Sequence, residues 1–169
     1  MTPDFASSER WPSGHLCWAF DGPAHFEARV STFLAEGRSR GERLLFVADN
    51  PVPGRWPNHL LASGALQVFS TVEVYGDQLV VDAPRQRSAF ADALVSALED
   101  GYVGLRVAAD NTSLVSTPEA LAAWAKWEDT ADVLVTESPV TGLCAFDRQR
   151  LRPEILRFLL SLHATCIER

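Results

Sequence analysis

A chain of 169 residues is the length of one domain, and a chain of that length buries roughly 70% of its unfolded surface. Its content of 47% apolar and 22% charged residues excludes a disordered polypeptide. The net charge of −7, with Lys126 the single lysine, repels phosphate backbones and anionic lipid, so neither nucleic acid nor membrane is an expected partner.

Residues 1–13 are rich in Ser and Pro and read as a flexible tail, with the folded domain over 14–169. They lack the basic start and apolar centre of a signal peptide, and no apolar run approaches the ~20 residues needed to cross a bilayer. Cys17, Cys144 and Cys166 are far apart and include no CxxC pair, which fits a reducing compartment. A cytoplasmic protein is expected.

The first strand is predicted over 15–20, ended by Asp21-Gly22-Pro23. Phe26, Val30, Phe33 and Leu34 then recur with the spacing of one buried helical stripe, which ends between Gly37 and Gly41. The run 44–48 is almost wholly apolar, as in a parallel strand covered on both faces, and Asp49-Asn50-Pro51 ends it. A short helix over 56–63, a strand over 66–69 and a turn over 75–77 follow. A helix over 85–100, with Phe90, Leu94, Ala97 and Leu98 on one side, leads to a strand over 105–109 that ends at Asp110. Thr117 and Pro118 are a helix start, and the helix runs through Trp124 and Glu128 to an expected break near Asp132. A strand over 142–146, a helix opened by Pro153 and an edge strand at 166–167 complete the chain.

Strands alternating with helices predict an α/β fold of three layers, a mostly parallel central sheet flanked by helices. Ligands of such sheets sit beyond the carboxyl ends of the strands. Those ends carry Asp21, Asp49, Asp110 and Asp147. Four aspartates there suit a shared crevice, and they equally suit turns and helix starts.

The segments 15–20, Phe33-Leu-Ala-Glu-Gly37, Gly41-Glu42, Gly104-Leu-Arg106 with Asp110, Trp127-Glu128, Leu143-Cys144-Ala-Phe-Asp147 and His163, in this order and spacing, resemble the MEDS family, the methanogen/methylotroph, DcmR-type sensory domain. The resemblance implies a RecA/KaiC-like fold and a sensory role. It also implies histidine kinases, DNA-binding regulators or sigma-factor regulators as the class of signalling partner. By the same resemblance Asp110 stands where a Walker-B aspartate would, and Asp49 where RecA/KaiC-type proteins place a catalytic carboxylate.

A working phosphate loop needs clustered glycine amides, a lysine, and Ser/Thr for Mg²⁺. The turn Phe20-Asp21-Gly22-Pro23-Ala24-His25-Phe26-Glu27 has one glycine, no lysine and two acids. A degenerate loop without catalysis is expected, and no cofactor. An atypical nucleotide-binding protein or ATPase of the RecA/KaiC type, with Arg85, Arg87 or Arg106 replacing lysine, and a homodimeric scaffold are the alternatives.

His15 and Cys17 share one strand face, and with Cys144 and His163 they are the residue types of a Cys₂His₂ metal site. No other closely spaced ligand pair exists, so no metal is expected. Glu128 falls on the inward stripe of its helix, where a carboxylate needs a partner; Arg106 is the expected one, as a buried ion pair or as part of a ligand cavity. His163 is expected to be a core histidine. Trp18 reads as core, Trp124 and Trp127 as flanking a helix edge, and Trp56 as a loop residue at the ligand end. The predicted ligand site is thus Asp21, Gly22, His25, Asp49, Trp56, Arg106, Asp110 and Glu128, taking a small molecule or a partner protein.

Overall fold

The computed structural model describes residues 10–168. Strands His15–Phe20 (β1), Arg43–Ala48 (β2), Leu66–Ser70 (β3), Leu105–Asp110 (β4), Val140–Asp147 (β5) and Thr165–Ile167 (β6) form one six-stranded sheet in the order β3-β2-β4-β5-β1-β6. Every pairing is parallel. The helices are Gly22–Ser39 (α1), Asn58–Ala62 (α2), Thr71–Tyr75 (α3), Ala83–Glu99 (α4), Pro118–Glu137 (α5) and Pro153–Ser161 (α6).

Alternation along each strand sends successive side chains to opposite faces, and two cores result. Leu16, Trp18, Phe20, Leu44 and Phe46 pack beneath α1 and α2 with Phe26, Val30, Phe33 and Leu60. Cys17, Leu45, Val107 and Phe146 pack on the other face with Phe90 and Leu94 of α4, Trp124 and Trp127 of α5, and Leu159 of α6. This is the three-layer α/β arrangement that the apolar runs predict, with every strand parallel.

The helix starts follow their side-chain chemistry. Thr117 accepts from the Ala120 amide at 3.1 Å and Asp82 from the Arg85 amide at 2.9 Å, each satisfying a donor that a helix leaves free. Ser70 and Glu73 form a reciprocal capping box that opens α3, a helix absent from the sequence reading, which has only the turn over 75–77 that follows it. No helix among the described residues is long and apolar enough to cross a membrane.

Several expectations are corrected. Most of the expected tail lies outside the described residues, but its end is docked: Trp11 is buried, donates from its indole to Thr32 Oγ1 at 2.9 Å and meets the Phe33 ring edge-on. The break near Asp132 does not occur, because Asp132 lies on the outer side of an unbroken α5. Trp124 and Trp127 are both buried against the sheet instead of flanking an edge. Leu98 is exposed, past the stripe set by Phe90, Leu94 and Ala97.

Arg106 and Glu128 are not partners. Arg106 alternates with Val107 and so faces α1, where its Nε donates to Glu42 at 2.6 Å and its guanidinium lies 4.7 Å over the Phe33 ring. Glu128 belongs to α5, on the other side of the sheet. A shift of one residue along a strand decides which layer a side chain enters.

Candidate functional site

Parallel strands bring the exits of β1, β2, β4 and β5 to one edge of the sheet. At the β1 exit the Gly22 amide, the first of α1, donates to the buried carboxylate of Asp147 at 3.3 Å. The Asp147 carboxylate also accepts from the Gln149 amide at 2.9 Å, and the Gln149 side chain lies over Gly22, 3.3 Å from where a Cβ would stand. The Asp147 amide donates to Thr112 Oγ1 at 2.9 Å, and that hydroxyl donates to Asp110 at 2.6 Å. Three strand exits are wired together by this chain of bonds.

Asp49 accepts from Thr71 Oγ1 at 2.9 Å and from Ser113 Oγ, with Arg150 at 3.5 Å. Burial raises the Asp110 carboxyl above its ordinary range; the Thr112 bonds pull it down and neighbouring Asp49 pushes it further up. Asp21 pairs with Arg148 at 3.2 Å, and its amide donates to His25 Nδ1 at 3.1 Å.

Of the eight residues predicted from sequence, the structure therefore places Asp21, Gly22, His25, Asp49 and Asp110 along this edge. Trp56 is buried against Phe46, ring centroids 4.8 Å apart, and is not a surface anchor. Arg106 lies under α1 beside Glu42, and Glu128 lies in the layer beneath α5.

Glu128 is the centre of a second constellation. Its Oε2 lies 3.2 Å from His15 Nε2 and 2.9 Å from His163 Nε2, and the Cys144 sulfur lies 3.5 Å from His15 Nε2. The sequence groups His15, Cys144 and His163 by residue type, and the member it leaves out of that group is Glu128. Cys17, grouped with them from sequence, sits level with Cys144 on one side and Cys166 on the other, so a row of three thiols crosses β5, β1 and β6.

Burial alone would lower the His15 pKa, yet facing Glu128 and Asp132 it is raised. Burial alone would raise that of Glu128, and the two imidazoles bring it below the ordinary carboxylate range. Burial pushes the Cys144 thiol well up, as does the charge of Glu128.

Next to this group a cavity of about 50 Å³ separates α5 from the sheet. Val107, Ala109, Phe90, Trp127, Ala131 and Leu134 line its apolar walls, and His15, Asn111 and Cys144 are at its polar end. Gly142 widens it, since a Cβ there would meet nothing within 4 Å. Asn111 is buried, and its side-chain amide makes no aligned hydrogen bond among the described residues, although it lies against the Cys144 thiol and draws that thiol's pKa down against the larger push of burial.

Residues 14–164 match the model of MEDS, the MEthanogen/methylotroph, DcmR Sensory domain. Among solved structures, the chain is similar to the flagellar accessory protein FlaH from Methanocaldococcus jannaschii, with a TM-score of 0.56 and 11% identity over 91% of this chain and 70% of that one. At that identity the likeness concerns the fold, which is of the RecA/KaiC type. No curated protein matches the sequence. The matched stretch runs from the residue before β1 to just past α6, and the chain belongs to the MEDS family of sensory domains.

Proposed function

We propose that this chain is a non-enzymatic sensor that takes up a small molecule in the cavity between α5 and the sheet. The observation that carries the reading is Asn111, a buried amide at the end of an apolar space that makes no aligned hydrogen bond among the described residues and has only the weakly bonding Cys144 thiol beside it. An unpaired buried polar group costs roughly 1–3 kcal/mol, which a ligand with one polar end would recover on binding. The cavity limits the ligand to a few non-hydrogen atoms, given that about 10–15 Å³ of such space holds one water.

Nucleotide hydrolysis has no part in this reading. The Gly22 amide, which a phosphate would need, is engaged by Asp147, and the nearby Arg148 guanidinium is paired with Asp21. The strand-exit edge then serves to hold β1, β4 and β5 in register.

Thermal denaturation against a panel of small alcohols, amides and thioethers tests the reading. A ligand at a hundred times its Kd raises Tm by about 5–10 °C for a domain of this size. The Gly142→Val variant, which fills the cavity, loses the shift. Calorimetric titration with Mg-ATP gives no saturable heat. A saturable Mg-ATP heat together with a silent panel contradicts the reading.

A further inference from the structure

His15, Glu128, Cys144 and His163 reach one point from β1, α5, β5 and the segment after α6, and their donor atoms all lie within 4.8 Å of one another. Two features separate this group from an ordinary buried ion pair. The first is alignment. His163 Nε2 and Glu128 Oε2 are 2.9 Å apart, with side-chain exposures of 0% and 2%, yet among the described residues neither atom, nor Glu128 Oε1, makes an aligned hydrogen bond. A shared proton needs donor and acceptor to point at each other, whereas these atoms are grouped about a common centre.

The second feature is the far side of each ring. His163 Nδ1 donates to the Leu159 carbonyl at 3.0 Å, and His15 Nδ1 faces Asp132 Oδ1 at 3.4 Å. Carbonyl and carboxylate partners on Nδ1 fix the tautomer and turn the Nε2 lone pair inward, as around metal-bound histidines.

We infer that His15 Nε2, His163 Nε2, Glu128 Oε2 and Cys144 Sγ form a tetrahedral site for a divalent transition cation of the zinc class. Bond lengths of about 2.0–2.2 Å to nitrogen or oxygen and about 2.3 Å to sulfur place neighbouring donors about 3.3–3.6 Å apart. The pairs at 2.9, 3.2 and 3.5 Å are close to that spacing, and the remaining pairs, all within 4.8 Å, draw in by at most about 1.5 Å when the ion binds. One carboxylate and one thiolate neutralise the charge of the cation, so the buried site carries no net charge. Imidazole and thiolate donors select against Mg²⁺ and Ca²⁺, which take oxygen.

A bound ion ties α5 and the end of α6 to the sheet. His15 and Cys144 also line the cavity, so the ion stands at its polar end. That last relation rests on the proposed ligand reading, while the metal site does not, because metal uptake is measured with the cavity empty.

The test uses the full, untagged chain stripped with a chelator and titrated with Co²⁺, then Zn²⁺. One Co²⁺ per chain is expected, with the intense visible bands of tetrahedral coordination and a near-ultraviolet thiolate charge-transfer band, both abolished by Zn²⁺. Zn²⁺ uptake releases protons, as the thiol must ionise. Cys144→Ser removes the thiolate band and Cys166→Ser keeps it; Glu128→Gln weakens uptake at least tenfold, and circular dichroism establishes that each variant is folded. Weak octahedral spectra, substoichiometric uptake by the wild-type chain, or a thiolate band that survives in folded Cys144→Ser overturns the inference. A failed ligand panel with tight Co²⁺ uptake sinks the sensing reading alone.

Discussion

The carboxylate of Asp147, at the exit of β5, receives the amide of Gly22, the first residue of α1, across 3.3 Å. A helix start carries roughly half a positive charge on its free amides. In this chain a distant carboxylate occupies that field and caps α1, which has no side-chain cap of its own.

Asp147→Ala is predicted to cost about 1–2 kcal/mol, the range for loss of a helix cap. Asp147→Asn keeps an acceptor oxygen and loses less. Urea unfolding checks both, with a lower midpoint and an unchanged slope expected.

Gly37 of α1 gives Arg106 its place. A Cβ on Gly37 would stand 2.4 Å from Arg106 Cδ and 2.9 Å from Leu44 Cδ2, and the Arg106 side chain is fully buried with its Nε held by Glu42. Alanine gains about 0.5–1 kcal/mol over glycine inside a helix. Overpacking costs about 1–3 kcal/mol, so the clash wins and Gly37→Ala lowers stability. A rise in Tm for this variant would show that the arginine has room to move.

The sheet was legible because its strands are short apolar runs between turn residues: 15–20, 44–48 and 105–109 are nearly continuous hydrophobic stretches, and Thr117-Pro118 marks a helix start by its chemistry. The pairing of Arg106 with Glu128 failed on parity. Both residues are buried charges needing partners, but nothing in the linear sequence says which sheet face Arg106 enters; Glu42, its true partner, follows a glycine at a turn and reads as a surface acid. His15, Cys144 and His163 were recognised as ligand types, while Glu128, correctly placed on the inward stripe of its helix, was given Arg106 as its partner instead of the two histidines. The Ser70/Glu73 capping box was written in the sequence and signals α3 by its three-residue spacing. Trp56 lay in a loop stretch, and only the fold shows Phe46 beneath it.

Acidification should favour the native state through Asp110. Its carboxyl titrates above the ordinary range because it is buried. The folded chain therefore holds a proton that the unfolded chain has already released. Stability from this group grows as pH falls through the folded pKa and levels off below the unfolded one, about 3.9. Asp110→Asn retains an acceptor for Thr112 and removes the titration. Relative to this variant, the wild type is predicted to gain stability between about pH 7 and about pH 4. A stability difference that is flat over that range would contradict the assignment.

Gly104 is fixed by close approach: a Cβ there would stand 2.4 Å from the Pro139 carbonyl oxygen. That neighbour is backbone at the start of β5, where the Leu105 amide donates to the same carbonyl at 2.9 Å. Gly104→Ala is predicted to lose at least about 2 kcal/mol, at the upper end of overpacking costs. Gly142→Ala, with empty space around its Cβ, keeps or raises stability. Comparing the two by chemical denaturation separates a contact glycine from a cavity glycine.

The claim that the sensing site lies beneath α5, and not at the strand exits, is tested most directly by amide and methyl chemical shifts during titration. With the small-molecule panel, saturable shifts are predicted at Val107, Asn111, Ala131, Leu134 and Gly142, and Mg-ATP is predicted to move none of the resonances. Saturable Mg-ATP shifts centred on Gly22, His25 and Asp110, with the residues beneath α5 unmoved by every panel member, would contradict it.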